Sequence, residues 1–126
     1  MKALLIALLL LPLPALADCS AMFGGWSYHL DQSAEPNETH SMYGLACKRW
    51  SAMTFTNSRY KESYGIGYEK PLGGVFSAYG ALWTGYDEYT IARPVLAARA
   101  RLTAGRLSVV ATTAIKVSTL HLEWRL

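Results

Sequence analysis

The stretch from Ser118 to Leu126, STLHLEWRL, alternates apolar and polar residues more cleanly than any other part of the chain. Leu120, Leu122 and Trp124 share one face of an extended segment, while the other face carries its ionisable residues. This period of two indicates a β-strand with different surroundings on its two sides. Lipid outside and a polar lumen inside would produce that pattern, so we predict a strand of an outer-membrane β-barrel.

The same period extends back along the chain and predicts about eight strands. Long and short connections alternate between them, with a tight turn at Trp50-Ser51, as in a barrel whose termini both lie in the periplasm. A water-soluble eight-stranded barrel around a small ligand is the alternative, but it would expose many large apolar side chains. The predicted segments are residues 22–30, 42–50, 52–57, 63–69, 75–83, 95–102, 107–114 and 118–126.

The first 17 residues have the features of a secretory signal peptide. Lys2 precedes an apolar run over residues 3–13, and Ala15-Leu16-Ala17 provides small residues for cleavage. Asp18 before Cys19 favours cleavage over attachment of a lipid to that cysteine. We therefore predict a signal peptide at residues 1–17 and one barrel domain at residues 18–126, monomeric and exported to a Gram-negative outer membrane.

Composition excludes several functional classes. Without residues 1–17 the chain has 11 basic and 9 acidic residues, too small an imbalance to indicate nucleic-acid binding. The uncharged stretch at residues 71–86 is interrupted by glycine and serine, so no transmembrane helix is predicted. No phosphate-binding loop or Cys/His cluster occurs, and we expect neither a cofactor nor a metal. Cys19 and Cys47 allow one disulfide.

Alternation also predicts which side chains face the lumen. The charged ones fall toward the periplasmic end, where opposite charges can pair and form a floor. Above them the lumen has mainly small side chains, which leaves room for a cavity suited to an acyl chain unless Tyr79 or Trp83 fills it. The predicted lumen residues of the first four strands are Ser27, His29, Gly44, Ala46, Lys48, Thr54, Thr56, Ser58, Ser63, Gly65, Gly67 and Glu69, and the predicted floor residues are Lys48, Glu69, Arg99, Arg101, Glu123 and Arg125.

Four polar residues are predicted to meet at the outer rim: His29, His40, Asn57 and Ser58. An imidazole beside a hydroxyl can move a proton between an attacking alcohol and a leaving group, which is a minimal set for acyl transfer. The alternative is that these side chains only hydrogen bond to loops and lipid headgroups.

Several short motifs resemble one known family. Gly44-Leu45, Arg49-Trp50, the run AMTFTNS at residues 52–58 and GIGYE at residues 65–69 resemble the central strands of PagP-type lipid A palmitoyltransferases, which are outer-membrane barrels. Asn37-Glu38 resembles a pair in the first outer loop of that family, and Pro94-Val95-Leu96 resembles its approach to the sixth strand. The resemblance is strongest over residues 37–69.

The resemblance implies transfer of a palmitoyl-like chain from a glycerophospholipid to lipid A in the outer leaflet. It implies His29 as general base, Ser58 as the participating hydroxyl and Asn57, at a family aspartate, as orienter of the imidazole. Alignment on Trp26 places Ser27 at the family's histidine, with His29 two residues later and His40 as second choice. The implied substrate-binding residues are Gly65, Gly67 and Glu69, with Glu69 at the position that sets acyl length.

Two other functions fit the same sequence. A catalytically silent barrel, serving as an adhesin or stabilising the envelope, would explain Asn57 in place of aspartate. A lipid A deacylase would use the same histidine and serine with water as acceptor, and would remove acyl mass rather than add it.

Overall fold

A computed structural model describes residues 17–86 and 91–126. Eight antiparallel strands, each paired with its neighbours in sequence, close into one barrel when the last pairs with the first. The predicted eight-stranded antiparallel barrel is confirmed, whereas nearly all of the predicted signal peptide lies outside the described residues. The strands are β1 (Cys19–His29), β2 (Thr39–Cys47), β3 (Trp50–Thr56), β4 (Glu62–Gly73), β5 (Phe76–Trp83), β6 (Arg93–Ala104), β7 (Leu107–Thr113) and β8 (Val117–Arg125). Over these ranges no helix has the length and apolar character needed to cross a bilayer.

Strand β8 has the predicted two-sided character. Leu120 and Trp124 are 46% and 45% exposed on the outside of the barrel, while His121 and Glu123 are each 2% exposed in the lumen. Large apolar side chains of other strands are also exposed on the outer surface. The interior combines these polar groups with a buried apolar cluster of Met22, Met53, Phe55, Tyr79 and Ala81.

The hairpin between β2 and β3 corrects the predicted turn. Cys47 pairs with Trp50, so the turn consists of Lys48 and Arg49, and Trp50 already belongs to β3. Register partners in neighbouring antiparallel strands point to the same face, and Gly44, on the lumen side of β2, pairs with Met53. The lumen face of β3 is therefore Ser51, Met53 and Phe55, and the predicted lumen placement of Thr54 and Thr56 is wrong.

A bulge in β1 decides which of its residues face the lumen. Met22 pairs with Gly44 and Glu123 on the lumen side, but the register of β1 against both neighbours shifts at Gly24 and Gly25. Both glycines have positive φ, +82° and +125°, which side chains rarely tolerate. The extra residue changes the inward positions from even to odd, so that Ser27 and His29 face the lumen as predicted.

Charged side chains close the end of the lumen that lies near Cys19 and Leu126. Glu69 bonds to Arg99 at 3.2 Å and to Arg101 at 3.0 Å, and Arg101 also pairs with Glu123. His121 Nε2 lies 3.0 Å from Glu123 Oε1. The Arg99 guanidinium stacks over the Tyr79 ring, 3.3 Å from its centroid. The predicted floor is thus confirmed for Glu69, Arg99, Arg101 and Glu123, whereas Lys48 and Arg125 are exposed and lie outside this network.

The two cysteines form a disulfide across the first hairpin. Cys19 is the direct register partner of Cys47, and their sulfur atoms are bonded. The pairing that the sequence allowed is therefore present, and it ties the start of β1 to the end of β2.

Candidate functional site

A cavity of about 680 Å³ occupies the half of the lumen opposite the charged floor. Its volume is within the range of small-molecule and cofactor sites in proteins. The inner wall is largely apolar, with Met42, Met53, Phe55, Trp83 and Val95 contributing side chains. Its lower end reaches Arg99, Thr112 and His121, where the charged network begins.

The barrel wall beside this cavity is interrupted. Residues 93–97 of β6 pair with β5, but the register of β6 with β7 begins only at Ala98 and Thr113. Strand β7 ends at Thr113 because a tight turn follows, in which the Ala114 N–H donates to the Val117 carbonyl at 2.9 Å. Pro94 lies in the stretch without a β7 partner, where its missing N–H leaves no ladder bond unmade. Pro94, Leu96 and Ile115 line the cavity here, so it opens sideways through the wall.

Ser27 and His40 form a hydrogen-bonded pair on the cavity wall. Ser27 Oγ lies 2.7 Å from His40 Nε2, and His40 Nδ1 lies 2.5 Å from the backbone carbonyl oxygen of Thr56. A carbonyl oxygen only accepts, so Nδ1 carries a proton, and in the neutral imidazole Nε2 accepts from the Ser27 hydroxyl. His40 is 8% exposed and Ser27 is half-buried. This arrangement can deprotonate the serine hydroxyl during nucleophilic attack.

His29 lines the same cavity, but it hydrogen bonds to Glu38 in the loop between β1 and β2. Glu38 Oε1 accepts from the His29 backbone N–H at 2.8 Å, from Gln32 at 3.1 Å, and lies 3.1 Å from His29 Nδ1. Hydrogen bonds from Gln32 and from the His29 backbone lower the pKa of Glu38. The imidazole of His29 is therefore oriented by a carboxylate, rather than by Asn57 as the resemblance implied.

Asn57 is fully buried, and its amide organises the loop between β3 and β4. Its Nδ2 donates to Ser63 Oγ at 2.8 Å and to the Gly85 carbonyl at 3.0 Å. Its Oδ1 accepts from the backbone N–H groups of Arg59 and Lys61 at 2.8 and 3.1 Å. These bonds use both ends of the amide, which gives Asn57 a clear structural role.

Ser58 lines the cavity and is engaged with Tyr86. Arg59 donates to the Tyr86 carbonyl, and polar groups of Ser58 lie close enough to the Tyr86 phenol to act on its pKa. Burial raises the pKa of Tyr86, although the polar groups of Ser58 act in the opposite direction. Among the described residues no hydrogen bond joins His29 to Asn57 or Ser58, so the structure brings two of the three predicted site residues to the cavity without joining them.

The three predicted substrate-binding residues lie below or beside the cavity wall. A Cβ on Gly65 would lie 2.7 Å from Trp83 Cδ1, and one on Gly67 would lie 2.2 Å from Tyr79 Oη. The two rings therefore occupy the space that the glycines leave. Glu69 belongs to the floor and lines a separate cavity of about 220 Å³ at the same end of the barrel.

The Ser27–His40 pair is the part of the site that the sequence analysis did not assign. Two signals pointed toward it: Ser27 occupied the family's histidine position after Trp26, and His40 was the second choice of histidine. Their hydrogen bond depends on the register of β1 against β2.

No group of three or more metal-ligating side chains occurs in residues 17–86 and 91–126. No protein-family model and no curated protein matches this chain.

Proposed function

We propose that the protein is an outer-membrane β-barrel that transfers a fatty acyl chain from a glycerophospholipid to lipid A. Membrane insertion is supported by the outer surface, where large apolar side chains are exposed on neighbouring strands, including Ile66 at 53%, Leu82 at 50% and Leu96 at 83%. A monomeric soluble protein rarely exposes so much contiguous apolar surface. Aromatic side chains such as Tyr64, Trp50 and Trp124 are exposed among them and suit the two membrane interfaces.

The observation that carries the proposal is the cavity that opens sideways through the wall. An apolar chain from the surrounding bilayer can pass between β6 and the turn after β7 without crossing a continuous ladder of hydrogen bonds. Inside, it meets apolar walls and then a closed, charged floor, so the chain is held rather than conducted. Polar groups that can assist acyl transfer, Ser27 and His40 among them, lie on the same wall.

Lipid A enters the proposal as acceptor through the resemblance of residues 37–69 to PagP-type palmitoyltransferases. Arg59, Arg93 and Lys116 line the outer part of the cavity, and cations there favour lipids with phosphate groups. A hydrolase is the second candidate, because a serine hydroxyl held by an imidazole also serves when water is the acceptor.

The test is the mass spectrum of lipid A from cells that express the protein, after brief chelator treatment to bring phospholipid into the outer leaflet. The informative variant is Val95→Trp, because Val95 lines the cavity and packs against the buried apolar cluster. The matched control is Ala98→Trp, which puts the same ring on the exposed outer face of the same strand. Outer-membrane fractionation and heat-modifiable gel migration check that all three proteins are inserted and folded.

We expect a lipid A species heavier by one acyl chain with the wild type and Ala98→Trp, and its loss with Val95→Trp. A lighter species in the same two strains would replace transfer by deacylation. An unchanged spectrum with folded, inserted wild-type protein would overturn the proposal in favour of a catalytically silent barrel.

A further inference from the structure

We infer that Ser27 is a nucleophile and His40 its general base, so that the reaction passes through an acyl-serine intermediate. This inference rests on the proposed function, because it takes a lipid ester as the substrate that reaches the cavity. It assigns the chemistry to a residue pair different from the one that the family resemblance implied.

The first argument is the tautomer of His40. The Thr56 carbonyl can only accept, so the proton of the neutral imidazole lies on Nδ1 and its lone pair on Nε2 faces Ser27 Oγ. A nucleophile bonded to a base, with the base oriented by a third group, is the common arrangement of activated serines. Here a backbone carbonyl takes the orienting position.

The second argument is the position of Ser27 in the wall. The Gly24-Gly25 bulge turns Ser27 inward, and Gly25 itself lines the cavity beside it. A Cβ on Gly25 would lie 2.7 Å from the His40 carbonyl oxygen, so only glycine lets β1 and β2 approach this closely. Bulges often re-aim side chains next to active sites. Ser27 also pairs with Thr119, a residue of β8 that lines the cavity toward the sideways opening.

The third argument is the engagement of the other polar groups on the wall. His29 is bonded to Glu38, and Ser58 lies beside the Tyr86 phenol. In the described residues, Ser27 and His40 are the hydroxyl and imidazole of this cavity that hydrogen bond to each other.

The proposed step conserves atoms and protons. His40 Nε2 takes the hydroxyl proton as Ser27 Oγ attacks the ester carbonyl carbon. The ester C–O bond then breaks, and the lysolipid alcohol leaves with the proton that His40 returns. In the second half, the acceptor hydroxyl gives its proton to His40 and attacks the acyl-serine carbonyl, and Ser27 Oγ leaves and regains a proton. No oxidant, reductant or cofactor takes part.

The experiment uses the full barrel in detergent micelles and a hexadecyl fluorophosphonate, which phosphonylates activated serines. Intact mass and peptide mapping should find one adduct, on Ser27, in the wild type. Ser27→Ala should give none, and His40→Gln should label at least about 100-fold more slowly, since a general base contributes about 10²- to 10⁴-fold. Ser118→Ala, which removes an exposed hydroxyl of β8, should label at the wild-type rate.

A second variant guards against misfolding. Ser27→Cys keeps a nucleophile in place, and its alkylation by iodoacetamide should be faster with His40 present than in Ser27→Cys combined with His40→Gln. A Ser27–His40 bond that only tied β1 to β2 would give equal rates and no adduct in the wild type. Either result overturns the inference.

The outcomes also separate this inference from the proposed function. Acyl transfer to lipid A that persists in folded Ser27→Ala, or an adduct on Ser58, would overturn the nucleophile assignment and leave the transferase standing. An adduct on Ser27 in a protein that leaves lipid A unchanged would support the nucleophile and overturn the transferase.

Discussion

The two halves of the lumen handle polar side chains in opposite ways. In the half near Cys19 and Leu126, Glu69 and Glu123 pair with Arg99 and Arg101 and close the barrel. In the opposite half, His29 bonds to a loop residue and His40 to a backbone carbonyl, and a cavity remains beside an interrupted wall. The difference teaches that a narrow barrel can contain a closed charged floor and, above it, an accessible site. The floor closes the cavity at its lower end.

The largest effect on this contrast is expected when one carboxylate is removed from the charged floor. Glu123 is 2% exposed and bonds to both Arg101 and His121, so Glu123→Leu leaves Arg101 with one fewer partner in the floor. We expect the free energy of unfolding to fall by about 3–5 kcal/mol, the usual cost of breaking a buried pair. Urea unfolding of the barrel in lipid vesicles measures it, with the exposed Arg125→Gln as control. A loss of unfolding free energy no larger than that of the control would mean that the charged floor does not stabilise the barrel.

A smaller loss of unfolding free energy is expected where the charged floor meets the cavity. In Gly67→Ala the new Cβ would lie 2.2 Å from Tyr79 Oη and 2.5 Å from its ring, which is buried and stacked on Arg99. Overpacking of this kind costs about 1–3 kcal/mol. The matched control is Gly80→Ala on the outer surface, where a Cβ meets only Leu96 Cδ2 at 3.6 Å. Equal unfolding free energies for the two variants would contradict the tight packing of Tyr79.

A similar or slightly smaller effect is expected for Asn57→Asp, which introduces the residue that the resembled family has at this position. The substitution replaces an N–H donor with a carboxylate oxygen facing the Gly85 carbonyl, 3.0 Å away. Unmade buried hydrogen bonds cost about 1–3 kcal/mol. We expect a lower melting temperature and faster proteolysis of the loop after β3. A gain in acyl transfer without loss of stability would show that this position is catalytic.

The smallest effect is expected for Glu38→Gln at the exposed outer rim. The side chains of Glu38 and His29 are 32% and 20% exposed, and a polar interaction near the surface contributes little because solvent screens it. We expect an unfolding free energy close to that of the wild type. The lowered pKa of Glu38 has a defined sign: its contribution is present above the ordinary value of 4.5 and is lost as the pH falls through the lowered value. The measurement is the unfolding free energy of both proteins as a function of pH. A large difference between Glu38→Gln and the wild type at neutral pH would contradict the prediction.

Strand number and the charged floor could be predicted because each depends on a local or repeated pattern. The alternation over residues 118–126 placed His121 and Glu123 in the lumen, and the structure confirms it. The same alternation was assigned to the wrong face at β3, where Thr54 and Thr56 were predicted in the lumen. Thr54, flanked by Tyr43 and Tyr64 in the neighbouring strands, faces outward, although apolar Met53 and Phe55 were the stronger candidates for the lipid side.

The candidate site was less predictable, since it depends on contacts between segments. The side chain of Asn57 could not be assigned from sequence, because Gly85, 28 residues away, supplies one of its partners. Ser27 and His40 are 13 residues apart, and their bond requires both the bulge in β1 and the register of β1 against β2. The adjacent glycines of β1 are a local signal for a bulge, but the register of β1 against β2 has no pattern of its own in a single sequence.

By itself the sequence determined that this chain forms eight alternating strands with charges at one end, because side-chain period and charge placement are local properties of each strand. Only the tertiary structure decided which face of β3 points inward, where the wall is interrupted and which hydroxyl meets which imidazole. The physical reason is register: a shift of one residue leaves composition and period unchanged but moves every side chain of a strand to the other face.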